Sequence, residues 1–237
     1  WTPASISSLV AWYDFNTGAY EDAGTDAAEN TDPLYRLTPA SQPTLYAEQA
    51  TLENRPIYSI GANNKRSATF DGTDDYMSVA YDASLDFGTG DFFIIALAAR
   101  TSTGTTRYIV SKQKTAASYN GFGLGVSGAL KPYFECFDGS GVTSQSGATT
   151  LTSGQYYRIG AGRTGTTGKI LLNNSEDASA ATYTGSVSQT VAMEIGRFHG
   201  GGNLFKGDLA QLLIFNAYPS SADLALLDTY LAAQVPT

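Results

Sequence analysis

Groups able to do chemistry are sparse in this chain of 237 residues and do not cluster in sequence. Glu135 and Asp138 lie three apart in the run Tyr133-Phe134-Glu135-Cys136-Phe137-Asp138. Hydrolysis of a sugar linkage needs two carboxyl groups flanking the scissile bond. Alternation along a regular strand turns these two to opposite faces, so no hydrolysis is expected of them. The same alternation sets Tyr133, Glu135 and Phe137 on one face and Phe134 and Cys136 on the other. Cys136 is the single cysteine and His199 the single histidine, which excludes a Cys/His zinc site within the chain. Cys136, among aromatic neighbours, reads as a buried structural thiol. His199 stands in the loop Arg197-Phe198-His199-Gly200-Gly201-Gly202-Asn203. Without a Gly-x-Ser-x-Gly elbow to supply a nucleophile, it reads as a surface residue or a ligand contact. The string 121–128, Gly-Phe-Gly-Leu-Gly-Val-Ser-Gly, lacks the following helix of a dinucleotide fingerprint and reads as a turn between glycine-spaced strands. Glu21, Asp22, Asp26, Glu29 and Asp32 read as a solvated loop or, more sharply, a cation-binding one, although their spacing fits no standard calcium loop.

Short strands are the elements that must position these groups. Only 15% of residues are charged, while Gly (25), Tyr (15) and Phe (11) are frequent. β-Branched and aromatic side chains suit a pleated surface, and glycine suits the turns between strands. A net charge of −8 argues against nucleic acid or an anionic membrane as partner. No stretch has the length of a membrane span, so no membrane insertion is expected. No signal peptide is visible, and a chain opening on Trp1 is expected to be processed or excised from a longer one. Strands are predicted at 9–15, within 67–79 around an Asp71-Gly72 turn, and at 92–99, 107–112, 121–126 and 130–137. More are predicted at 156–163, 168–173, 180–184, 191–197 and 208–215. This spacing suits a sandwich or barrel and leaves no room for βαβ units. One helix is predicted at 220–234, with Ser220 as N-cap, Asp223 three residues on, and Leu224, Leu227 and Leu231 on its apolar face. It should cover a sheet edge or one end of the sandwich. The expected organisation is one domain, 1–237. It comprises an N-terminal strand with a long irregular segment (1–60), a sandwich core (61–219) and the helix.

Taken in order, these segments resemble the laminin-G-like jelly roll of the concanavalin A-like lectin and glucanase superfamily. The stretch 68–79, Ala-Thr-Phe-Asp-Gly-Thr-Asp-Asp-Tyr-Met-Ser-Val, is similar to its strand-turn-strand with a Phe-Asp-Gly and an Asp-Tyr pair. Tyr108-Ile109-Val110-Ser111-Lys112 resembles its Ile-Leu-Ser-Lys strand, and 168–177 its strand and Asn-Gly turn, here Asn173-Asn174. The segments 193–197 and 205–227 resemble its closing strand and helix. Departures are Tyr156-Tyr157 where the family has Trp, and Ala98-Ala99 in a strand that often carries Trp. The N-terminal part, Leu-Val-Ala-Trp-Tyr-Asp-Phe at 9–15 together with the stretch 42–61, resembles a subgroup often found in phage virion and other surface proteins.

The resemblance implies an all-β jelly-roll sandwich of two antiparallel sheets with a short C-terminal helix. The Glu-x-Asp-x-x-Glu string of related glucanases is missing, so the chain is expected not to be an enzyme. Some relatives hold a calcium ion at a rim, for which Asp71, Asp74, Asp75 and Asp208 are the candidates; the same acids also stabilise turns. Sugar binding needs aromatic platforms beside polar groups, and Tyr119, Asn120, Tyr156, His199 and Asn203 fall near predicted loops or strand ends. The implied function is a non-catalytic virion surface, decoration or fibre-associated protein whose partners are other virion proteins or copies of itself. The alternative is a carbohydrate-binding adhesion module at an extracellular or cell surface, contacting glycans with one calcium ion as a candidate aid.

Overall fold

The computed structural model describes residues 1–113, 120–139 and 141–237, with Ala180 as backbone only. Among these residues the chain forms β1 (Leu9–Asp14), β2 (Ala19–Tyr20), β3 (Arg36–Leu37), β4 (Ala47–Glu48), β5 (Ile57–Ile60), β6 (Arg66–Asp71) and β7 (Met77–Val79). Next come β8 (Phe92–Arg100), β9 (Arg107–Gln113), β10 (Asn120–Val126), β11 (Pro132–Asp138), β12 (Val142–Ser146) and β13 (Tyr156–Thr164). β14 (Thr167–Leu172), β15 (Ser175–Thr182), β16 (Met193–Ile195) and β17 (Lys206–Phe215) follow, then helix α1 (Ser221–Ala232). The first sheet runs β15-β14-β13-β8-β17-β6-β5, with β1 also on β17, and the second β12-β11-β10-β9-β16-β7-β4-β3-β2. Among the described residues the pairings between these strands are antiparallel, as expected of a two-sheet sandwich.

Burial explains the strand sequences. In β8, Phe92, Ile94, Ala96 and Ala98 enter the core between the sheets, while Phe93, Ile95 and Leu97 enter a second core on the outer face of the first sheet. A strand covered on both faces has no polar face to alternate, hence its unbroken apolar run. In β11 the expected alternation holds: Phe134 and Cys136 point into the main core. Burial also raises the Cys136 thiol well above its ordinary range, consistent with a structural role.

The helix forms where predicted, Ser220 Oγ accepting from Asp223 N at 3.1 Å. It covers neither a sheet edge nor an end. Leu227 and Leu231 lie on the outer face of the first sheet, over Phe93, Ile95, Leu97, Leu213 and Phe215. Those apolar side chains require a cover, and an amphipathic helix is one that fits. Arg158 on β13 pairs with Asp228 and fixes its position.

The other differences are local. The predicted strand 180–184 begins earlier, at Ser175. β12 carries Thr, Ser and Gln with little apolar signal, and it was not foreseen. The irregular stretch after β1 contains β2, β3 and β4, two residues each, which extend the second sheet. Gly121, Gly123 and Gly125 lie inside β10, and the turn expected of this string falls at its end, where Leu130 N donates to the Ser127 carbonyl (2.9 Å). The turn after Asp71 carries the chain from the first sheet to the second, since β6 pairs with β17 and β7 with β16.

One end of the sandwich is held by buried cations. Arg163 is fully buried. It donates to the Gly90 carbonyl (2.9 and 2.6 Å), Gly88 (2.7 Å) and Gly185 (2.7 Å). Lys112 donates to the Asp86 carboxylate and the Gln189 carbonyl.

Candidate functional site

The outward side of β9, β10 and β11 holds a group of polar and aromatic side chains with unmet hydrogen-bonding capacity. The register places Tyr133, Glu135 and Phe137 opposite Gly125, Gly123 and Gly121, and these glycines opposite Tyr108, Ser111 and Gln113. A bulge at Leu124/Gly125 brings Tyr108 onto this face. The glycines leave a trough: a Cβ on Gly123 would lie 2.8 Å from the Tyr108 ring and 3.2 Å from Glu135 Oε1. Tyr108 and Glu135 therefore lean over bare backbone.

The ring centroids of Tyr108 and Tyr133 are 6.2 Å apart, and Phe198 lies 5.1 Å from Tyr108 and 6.4 Å from Phe137. Beneath them Glu135 is only 3% exposed. Its Oε2 accepts from the Tyr133 hydroxyl at 2.7 Å, whereas Oε1 has no hydrogen-bond partner among the described residues. Burial pushes the Glu135 carboxyl up, opposed by the Tyr108 and Tyr133 phenols. Burial first, then the Glu135 charge, pushes the Tyr133 phenol up to about 12, so it remains a donor. Among the described residues, neither the amide nitrogen nor the amide oxygen of buried Gln113 has a partner. A buried polar group without a partner costs about 1–3 kcal/mol, which a ligand's polar groups can offset.

The loop after β16 closes the side of this face. Ser111 Oγ donates to the Arg197 carbonyl (3.0 Å) and accepts from His199 N (2.7 Å). Glu194 accepts from Arg197 Nε at 3.0 Å, and His199 Nδ1 is 3.6 Å from its other oxygen. Ser111 is thus occupied by backbone, and the His199 ring faces a carboxylate.

Among the sequence-expected binding residues, His199 reaches this face. Asn203 is exposed at the base of the loop, where its carbonyl accepts from Tyr108 N. Asn120 shares the inward side of β10 with Phe122 and sits at the sandwich end beside Gly139. Tyr156 belongs to the opposite sheet and packs on the second core. Tyr119 lies outside the described residues. The expected set is therefore dispersed, because loop proximity in sequence does not specify a face. The aromatic residues around Glu135 were missed as a site, although the glycines at alternate positions of β10 were a signal for the trough.

Among the metal candidates, ligand oxygens of Asp71, Asp74 and Asp75 lie within 4.8 Å of one another. Asp208 does not join them. It faces Thr69, whose hydroxyl donates to it at 2.6 Å, on the first sheet. Asp71 Oδ1 accepts from Thr73 N (2.7 Å) and Asp74 N (3.3 Å), while Asp75 Oδ2 accepts from Asp71 N (2.8 Å). These are turn-forming bonds. The acidic stretch 21–32 is organised likewise: Asp22 Oδ1 accepts from the backbone of Gly24, Thr25 and Asp26.

The family model for the concanavalin A-like lectin/glucanases superfamily matches residues 71–225. The chain belongs to this family. Its fold is also that of the binding domain of Paraclostridial Mosquitocidal Protein 1, with TM-score 0.70 and 11% identity over 97% of this chain and 53% of that one. A botulinum neurotoxin type C structure, described as depending on two ganglioside molecules for cell entry, gives 0.61 and 13% over 97% and 53%. Trypanosoma rangeli sialidase in complex with sialic acid gives 0.64 and 10% over 94% and 33%. The chain thus spans about half of the toxin chains and a third of the sialidase. No curated protein matches it in sequence.

Proposed function

We propose that this jelly roll is a non-catalytic carbohydrate-binding domain acting at an extracellular or particle surface, and that it binds through the β9–β11 face. The observation that carries this reading is the layer of Tyr108, Tyr133 and Phe198 over a carboxylate with one oxygen unpartnered among the described residues. Sugar rings present apolar C–H faces and rims of hydroxyls. Aromatic rings match the first, and an acceptor flanked by amide groups matches the second. Neutral glycans suit a face that carries Glu135 and Glu194, and gangliosides and sialic acid, named for the structural neighbours, are the acidic glycans to compare with them.

Binding is favoured over catalysis by two features. The other carboxylate of this face, Glu194, is separated from Glu135 by β9 and β10 and is engaged by Arg197, whereas glycoside hydrolysis needs two carboxyl groups flanking one bond. The Tyr133 phenol, held up to about 12, is a poor nucleophile at neutral pH. A glycan array with the soluble domain tests the reading. Specific binding that Glu135→Gln weakens at least about tenfold, with the fold unchanged, is expected. A blank array, or turnover of a glycoside that Glu135→Gln abolishes, would overturn it.

The virion role is a second reading, favoured by the opposite side of the molecule. Trp1 and Leu226 are 50% and 45% exposed, and the Trp1 ring meets Tyr230, one helical turn beyond Leu226, at 6.4 Å. Apolar side chains gathered beside the helix suit docking on a neighbouring subunit. Concentration-dependent self-association that Trp1→Ser and Leu226→Ser abolish would support it; a strict monomer would count against self-assembly. Calcium at Asp71, Asp74 and Asp75 is a further proposal. Added calcium should raise the thermal midpoint and chelation lower it; an unchanged midpoint assigns these acids to the turn alone.

A further inference from the structure

An open cleft of about 370 Å³ lies on the outer face of the first sheet, between β14, the turn that follows it, and the start of α1. This is on the opposite sheet from the face proposed above, and its volume falls in the usual range for small-ligand sites. Leu171, Pro219 and Leu224 give it an apolar side. Lys169 and Glu176 stand at its wall, their charges joined at 3.0 Å. Asn174 borders it from the turn, at φ 64. Asn173, its neighbour, is spent on the fold, since its side chain accepts from Arg158 N. The Tyr218 hydroxyl is buried and has no partner among the described residues, and the ring is fixed edge-on against Phe93 at 5.0 Å.

These features select a ligand class. A wholly apolar ligand would leave Tyr218 unsatisfied. An anion would confront Glu176 or have to displace it from Lys169, and a cation would face the reverse conflict. A neutral ring with hydroxyls on its edge and C–H groups on its face meets each requirement. It supplies an acceptor for Tyr218, partners for Asn174, and a surface for Leu171 and Leu224.

We propose that this cleft is a second glycan subsite, selective for a single neutral sugar ring, with Tyr218 and Asn174 as its recognition groups. Two subsites on opposite faces would let one domain bridge two glycan chains.

The test is a titration of the isotopically labelled chain with neutral methyl hexosides and N-acetylhexosaminides, following backbone amide shifts. At least one sugar should move the amides of residues 169–176 and 218–224. Tyr218→Phe should weaken that binding about fivefold. Asn174→Gly, which suits the positive φ of the turn, should weaken it similarly while leaving the fold intact. Shifts confined to β10 and β11 would overturn this proposal and leave the first face standing. Shifts at the cleft alone would sustain this subsite while the first face fails. Binding at the cleft that neither variant alters would also overturn it.

Discussion

At the scale of single residues, burial sets the behaviour of the acids. Asp75 is 5% exposed, and desolvation outweighs its hydrogen bond from Asp71 N, lifting its carboxyl to about 6. A folded-state value above the unfolded one favours the protonated form. Its contribution is therefore fully present at acid pH and is lost as pH rises from about 4 to about 6. The Asp75 component of the thermal midpoint should fall across that window, and Asp75→Asn should remove it. A calcium ion on the turn would reverse the sign by favouring the carboxylate, so the same titration with and without calcium reads both effects.

Elements in this fold are held by covers and pins more than by intrinsic propensity. Leu231 is fully buried between α1 and the first sheet. Leu231→Ala should cost about 2–5 kcal/mol in urea unfolding and loosen the helix. The opposite end depends on Arg163, which serves three glycine carbonyls from two loops. Arg163→Met preserves much of the volume but removes every donor. It should lower stability by about 3 kcal/mol, and hydrogen exchange should quicken first near residues 88–90 and 185. If exchange there stays unchanged, the guanidinium is not the pin.

The whole molecule separates its surfaces by sheet. The second sheet offers the glycine-paved trough under Tyr108 and Phe198, and the first carries the helix, the exposed Trp1 and the cleft beside Tyr218. This arrangement allows recognition on one side and attachment on the other. Docking the helix side to a partner should leave glycan binding at Glu135 intact. Competition between the two in a single binding assay would show that the faces are not independent.

Strand content, the Ser220-capped helix and the family were legible in the sequence because they depend on local features. Alternation in Phe134-Glu135-Cys136, the unbroken run of β8 and the leucines of α1 each record which side is buried. The site was not legible, because a face is made by strands brought together from far apart. Glu135 meets Tyr108 only across Gly123, and only the β10 register and the bulge beside it place them together. Tyr156 reads as a site residue in one dimension, yet pairing places it on the other sheet, and Asp208, although on the strand beside Asp71, is engaged by Thr69. Local chemistry determined the elements; long-range pairing decided which side chains share a surface, since shifting a strand by one residue turns every side chain over.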